Sequence, residues 1–245
     1  MKDDRNNLLQ QLTHGLLYEG YTLYPYKTTT LKNKIPIPFG VLYPKNYCQY
    51  NKYVNSEMQT ECITLANDLA ELIVQIKFLQ ISYDNKGWTA IEHEVSSEKI
   101  SIKNLPGNKN IIPFQFHLIE GTATIQAAEI RDIKNAYLLS VIISNTTPVK
   151  KTGNITEDEI LKYALVSTHT ILKISDGEFV SLQKPDKEWR DLIKLCENKN
   201  TCPVLIDAEN SIMLSSPIIL YDYPQINASG ILEDQMQPIF YSEKK

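Results

Sequence analysis

The sequence predicts an α+β fold: mainly an antiparallel β-sheet or sandwich core, with an N-terminal helix and two helices in the C-terminal third. Three observations lead there. Between about residue 70 and residue 147, short apolar or alternating runs follow one another with no long helical pattern between them, the texture of an antiparallel sheet. Leu8, Leu9, Leu12, Leu16 and Leu17 recur at the spacing of one helix face. Thr156 and Glu159 stand three apart ahead of an apolar run, the pattern of a capping box.

Composition sets the outer bounds. The 245 residues, 42% hydrophobic and 22% charged, are ordinary for a globular chain and enough to bury a sizeable core. A single domain over residues 1–245 is expected, divisible into 1–66, 67–148 and 149–245. A net charge of −4 argues against nucleic-acid binding, which needs clustered Lys and Arg. No apolar run of ~18 residues offers a membrane span. The start Met1-Lys2-Asp3-Asp4-Arg5 opens no continuous apolar region, so the cytoplasm is the expected compartment. There Cys48, Cys62, Cys196 and Cys202 read as thiols or metal ligands before disulfides.

In chain order, residues 3–18 read as a helix, with Asp3 or Asp4 as N-cap and Gly20 as terminator. Residues 21–53 are rich in Tyr and Pro, and their prolines forbid a helix; Phe39 to Tyr43 reads as a short strand. Met58 to Ile63 opens a second β region, Asn67 to Glu71 reads as a helical turn, and Leu72 to Ser82 as a strand. Trp88 to Val95 and Lys99 to Lys103 alternate, and Leu105-Pro106-Gly107-Asn108 signals a turn. Ile111 to Leu118, Thr122 to Ile130 and Tyr137 to Ser144 supply three more strands. After the capped helix, residues 166–172 either continue it or begin a strand; Asp176-Gly177 reads as a tight turn before a strand at Glu178 to Leu182. Pro185 to Cys196 reads as the second C-terminal helix, with Trp189, Leu192, Ile193 and Cys196 on one face. Pro203 to Ile206 and Pro217 to Tyr221 close the pattern as strands, Pro217 being confined to a strand entrance or edge because it lacks an N–H.

Chemistry is harder to find. Phosphate-cradling glycine loops and the nucleophile elbow are absent from the sequence. Cys196 and Cys202 are too far apart for a zinc knuckle, though Cys62, His169 and Cys196 supply residue types from which a metal site can be assembled in space. Cys62 and His169 also supply the types of a thiol–imidazole pair, but Glu61 beside Cys62 disfavours a thiolate. Glu92 and Glu94 flank His93 on an alternating strand and share the face opposite to it.

Several blocks, in order, resemble a family of uncharacterised bacterial proteins associated with uptake [NiFe]-hydrogenase gene clusters. They are Glu19 to Tyr26 with Lys32-Asn33 and Phe39-Gly40; Met58 to Cys62; Ser144 to Pro148; Ser167 to Thr170 with Gly177 and Phe179 to Leu182; and Pro203 to Ile206 with Leu214 to Ile226. The chain departs from that pattern at Ile35 to Pro38, at Cys202, and in its reduced acidic ending at Glu233-Asp234. The resemblance implies a cytoplasmic, non-enzymatic accessory protein that binds a hydrogenase subunit or maturation factor, and it brings no cofactor and no catalytic residue with it. Glu61, Cys62 and His169 fall in the matching blocks and are the first site candidates. Tyr21, Tyr24, Tyr26 and Tyr43 are the candidate partner-binding residues, because tyrosine favours interfaces. Two alternatives stand beside this reading: a metal- or thiol-dependent enzyme using Cys62 and His169, with a transition metal as its cofactor, and a stand-alone structural module.

Overall fold

The computed structural model describes residues 9–17, 39–84, 87–149, 155–224 and 237–238. It is β-rich and antiparallel: 51% of the chain is strand, with few helices. Helix α1 (residues 9–17) and the short α2 (Lys45–Cys48) precede strand β1 (Glu57–Asp84), a 28-residue strand from which the sheet is built in both directions. Strands β2 (Gly87–Ser96) and β3 (Ile100–Ser101) fold back on its second half. Next come β4 (Asn110–Phe116), β5 (Ile119–Glu129) and β6 (Ala136–Asn145), a meander that brings β6 against the first half of β1. After α3 (Glu157–Leu161), β7 (Val166–Phe179) runs along the other edge of β1, followed by β8 (Cys202–Leu205) and β9 (Ile212–Ser216). The order across the nine-stranded sheet is β4-β5-β6-β1-β7-β9-β8, with β2 and β3 added at β1. A separate two-stranded pairing joins β10 (Ile218–Ile219) to β11 (Gln237–Pro238).

A strand this long must bend to serve both layers. Ala66 pairs with Gly177 and Glu71 with Ser175, so residues 67–70 of β1 stand opposite Asp176 alone. This is an enlarged bulge, which breaks the register and turns the strand. Asn67 Oδ1 accepts the Leu69 N–H at 2.8 Å, and Asp176 adopts a positive φ of 54°. The helical turn expected at Asn67 to Glu71 and the hairpin turn expected at Asp176-Gly177 are therefore corrected together: both are one bulge within paired strands. The sheet curls far enough to meet itself. Gln59 and Lys199 exchange backbone bonds of 3.1 and 2.9 Å, so the segment before β8 closes onto the free edge of β1.

The main core fills the space between the β4-β5-β6 layer and the second half of β1 with β7, and includes Cys62, Ile76, Phe78, Leu139, Ile143 and Leu172. The opposite face of β7, β8 and β9 is covered by α1, whose Leu9, Leu12 and Leu16 pack on Ile171, Val204 and Leu214. Of the leucines read as one helix face, Leu9, Leu12 and Leu16 form this seam, Leu17 packs instead with Leu79, Leu161 and Val166, and Leu8 lies outside the described residues. Burying each such side chain contributes on the order of 1.5–3 kcal/mol.

Other expectations are corrected. Phe39 to Tyr43 forms no ladder strand; Leu42 alone makes bridges, to Asn55 and Leu165. The capping box at Thr156 and Glu159 is present, but α3 ends at Leu161 and residues 166–172 are strand. Pro185 to Cys196 is not a helix: it forms turns and a single 3-10 turn at Leu192–Leu195. Its apolar face is nonetheless used, since Trp189 is buried with Ile63, Ala136 and Val180 while Leu192, Ile193 and Cys196 pack on them. Among the described residues, the C-terminal third thus has one short α-helix rather than the two expected. The strand expected over Pro217 to Tyr221 is only Ile218–Ile219, and Pro217 falls between β9 and β10, at the entrance of the latter, one of the places its missing N–H permits.

Candidate functional site

The first half of β1 carries the block Met58 to Cys62, and alternation divides it between two sides. Met58, Thr60, Cys62 and Thr64 point into the core and are buried. Gln59 and Glu61 point the other way, toward the segment 197–200.

On the inner side, Thr60 meets the stretch 214–216. The Ser215 Oγ lies 2.7 Å from Thr60 Oγ1 and 2.7 Å from Thr201 Oγ1, and Thr201 donates to the Ser216 carbonyl at 3.1 Å. Each hydroxyl has one proton, so a single direction satisfies all three contacts: Thr60 donates to Ser215, Ser215 to Thr201, and Thr201 to the carbonyl. Ser215 also pairs with Thr170 across β7 and β9. Residues near 60 and near 170 therefore converge, through Ser215, inside the closed part of the sheet.

On the outer side, Glu61 is a clamp. Its carboxylate accepts from Gln59 Nε2 at 3.0 Å and from the Glu197 N–H at 2.8 Å. Asn198 accepts from the Glu61 N–H at 2.9 Å and donates to its carbonyl at 3.1 Å. These bonds hold residues 197–199 along β1 where no regular strand pairs. The block Ser144 to Pro148 works similarly: fully buried Asn145 donates to the carbonyls of Leu42 and Tyr163, both at 2.8 Å, and accepts from the Thr147 N–H. In the last block, Asp222 accepts from the Leu205 N–H at 2.8 Å and from Ser181 Oγ at 2.5 Å, tying the Tyr221-Asp222-Tyr223 turn to β8 and to Phe179 to Leu182.

Cys62, Cys196 and His169 do not gather. Cys62 faces the main core, whereas Cys196 packs with Trp189 on the Glu61 side. His169 pairs with Lys77 and alternates with Thr170, which places it on the α1-covered face with Ile171. Among the described residues, no group of three His, Cys, Asp or Glu side chains is arranged to hold a metal. Burial pushes the Cys62 thiol far above its ordinary range, and burial with the nearby Glu61 raises Cys196 to about 11, so both are protonated at neutral pH. His169 is fully buried. Its Nδ1–H donates to the Ser167 carbonyl at 2.7 Å, leaving Nε2 with no partner among the described residues, and burial lowers its pKa to about 4. His93 lies opposite Glu92 and Glu94 as expected: it stacks on Phe116 at 4.3 Å and donates to Gln80 at 2.9 Å, while the two glutamates face Lys77 at 3.5 and 3.3 Å.

Tyr21, Tyr24 and Tyr26 lie outside the described residues. Tyr43 is half-buried, its ring 5.6 Å from that of Tyr47 and packed against the cluster of Leu17, Leu79 and Leu161. The aromatic surface lies just beyond it. Tyr50 and Tyr53 are 75% and 83% exposed, on a loop whose base is fixed by the Tyr43 N–H donating to Asn55 at 2.8 Å and by Asn46 donating to Val149 at 2.7 Å. The same loop forms one wall of an open cleft of about 380 Å³ that is also lined by Glu57, Ile142, Lys199 and Asn200. Sequence reading missed this cleft, because its walls come from three distant segments; the only available signal was the tyrosine bias itself. No known protein family matches the chain, and no curated protein is similar to it.

Proposed function

We propose that the chain is a non-enzymatic binding protein whose contact surface is the anchored loop carrying Tyr50 and Tyr53. The observation that carries this is the combination of two large exposed aromatics with a base held by backbone and amide bonds. Such a surface loses little conformational freedom on binding, and tyrosine supplies contact area with a polar tip. The resemblance of the ordered blocks supports as partner class a subunit or maturation factor of a [NiFe]-hydrogenase, in the cytoplasm. Within this reading, Glu61, Asn145, Ser181 and Asp222 shape the scaffold that presents the loop. Cys62 and His169 serve as core residues. The test is co-purification from cells expressing the hydrogenase system, comparing the native chain with a Tyr50→Ala/Tyr53→Ala variant. Recovery of a hydrogenase component with the native chain and its loss with the variant is expected. Equal recovery with both, or with neither, counts against the reading.

A further inference from the structure

Resting on that binding role, we propose that the cleft beside the tyrosine loop receives a basic side chain, Lys or Arg, of the protein partner. The cleft has an apolar wall of Val54 and Ile142 and two charged side chains, Glu57 and Lys199. The charges are not equivalent. Lys199 is already engaged, its ammonium 3.3 Å from the Glu197 carboxylate. Glu57 is exposed, and its carboxylate has only a neutral contact, the Ser144 hydroxyl donating at 3.0 Å; no cation among the described residues pairs with it. The cleft therefore offers a carboxylate still able to accept from a cation, above an apolar wall suited to the methylene stem of a Lys or Arg. Asn200 supports this geometry by donating to the Glu57 carbonyl at 2.7 Å, which fixes the backbone from which the carboxylate projects. The net charge of −4 favours approach of a basic partner over an acidic one.

The test uses the full chain with isotopically labelled Ile and Val methyl groups. Three capped tripeptides are titrated in: acetyl-Gly-Arg-Gly-amide, its Lys counterpart, and its neutral citrulline counterpart. Saturable shifts of the Val54 and Ile142 methyl signals are expected with Arg and Lys, at millimolar concentrations suited to so small a ligand. Binding at least about tenfold weaker is expected with citrulline, and with Arg on a Glu57→Gln variant, which keeps an oxygen to accept from Ser144. Methyl signals that do not move, equal shifts with citrulline, or unchanged Arg binding by Glu57→Gln would each overturn the proposal. A Glu57→Gln chain that still recovers the hydrogenase component at native strength would remove the basic-side-chain claim alone and leave the binding role standing.

Discussion

Lowering the pH should destabilise this protein through His169, and the size of the effect follows from its burial. In the folded chain the imidazole is neutral, closed to solvent, and tied by Nδ1–H to a carbonyl, with a pKa lowered from the ordinary 6.5 to about 4. The unfolded chain therefore binds more protons than the folded one between those two values. Stability from this group is fully present above pH 6.5 and is lost as the pH falls toward 4. From the two pKa values, the loss between pH 7 and pH 5 is about 2 kcal/mol. The perturbation that isolates it is His169→Gln, which cannot titrate. Urea unfolding of native and variant chains at pH 7, 6 and 5, followed by tryptophan fluorescence, gives the difference directly. His93, whose pKa is also lowered by burial, and every carboxylate are common to both chains and cancel. The native chain is expected to lose about 2 kcal/mol more than the variant over this interval. Equal losses in both chains would refute the assignment of His169 as a buried neutral histidine.

Other expected outcomes test the scaffold. Ser215→Ala leaves the Thr60 hydroxyl without its acceptor and should cost on the order of 1–3 kcal/mol, whereas adding Thr60→Val should recover much of that loss; a purely additive pair in urea unfolding would contradict the hydroxyl relay. Gly177→Ala should destabilise by about 1–3 kcal/mol, since a Cβ there would lie 2.5 Å from the Leu65 carbonyl oxygen. A thermal midpoint equal to that of the native chain would show that the two strands are not so closely apposed. Glu61→Ala should speed amide hydrogen exchange at Glu197 and Lys199 while leaving β5 and β6 protected; unchanged exchange at Glu197 would remove the clamp.

The antiparallel meander was readable because local pattern and tertiary environment agree there. Along β5 buried and partly exposed positions alternate, so the period-two signal in Thr122 to Ile130 is the signal of a half-buried strand. Agreement failed where long-range pairing overrode local preference. Asn67-Asp68-Leu69-Ala70 has the polar, helix-compatible look of a turn, yet its neighbours on both sides are held in one ladder, and the residues are expelled as a bulge. Asp176-Gly177 looks like a hairpin turn because the same residue types permit a positive φ at a bulge and the close approach of Gly177 to Leu65. In Pro185 to Cys196 the apolar spacing was real, but it records a packing face rather than a continuous helix: Ile193 donates to Trp189 while the chain around them runs through turns. Of the candidate site, the blocks near 60, 145, 170 and 220 were visible in the sequence, but their roles as fasteners were not. A glutamate that clamps a distant loop and a glutamate that acts on a ligand look alike until Glu197 and Asn198 are seen beside Glu61. Cys62 and His169 were similarly ambiguous, because adjacency in matching blocks says nothing about which sheet face each side chain occupies.

The exposed loop makes the functional claim open to a direct measurement. A photo-crosslinking amino acid placed at position 53, with the likewise exposed position 69, remote in sequence, as control, would be irradiated in cells expressing a [NiFe]-hydrogenase with its maturation factors. An adduct to a hydrogenase subunit or maturation factor from position 53 and none from position 69 is the predicted result. No such adduct from position 53, or the same adduct from both positions, would contradict the account.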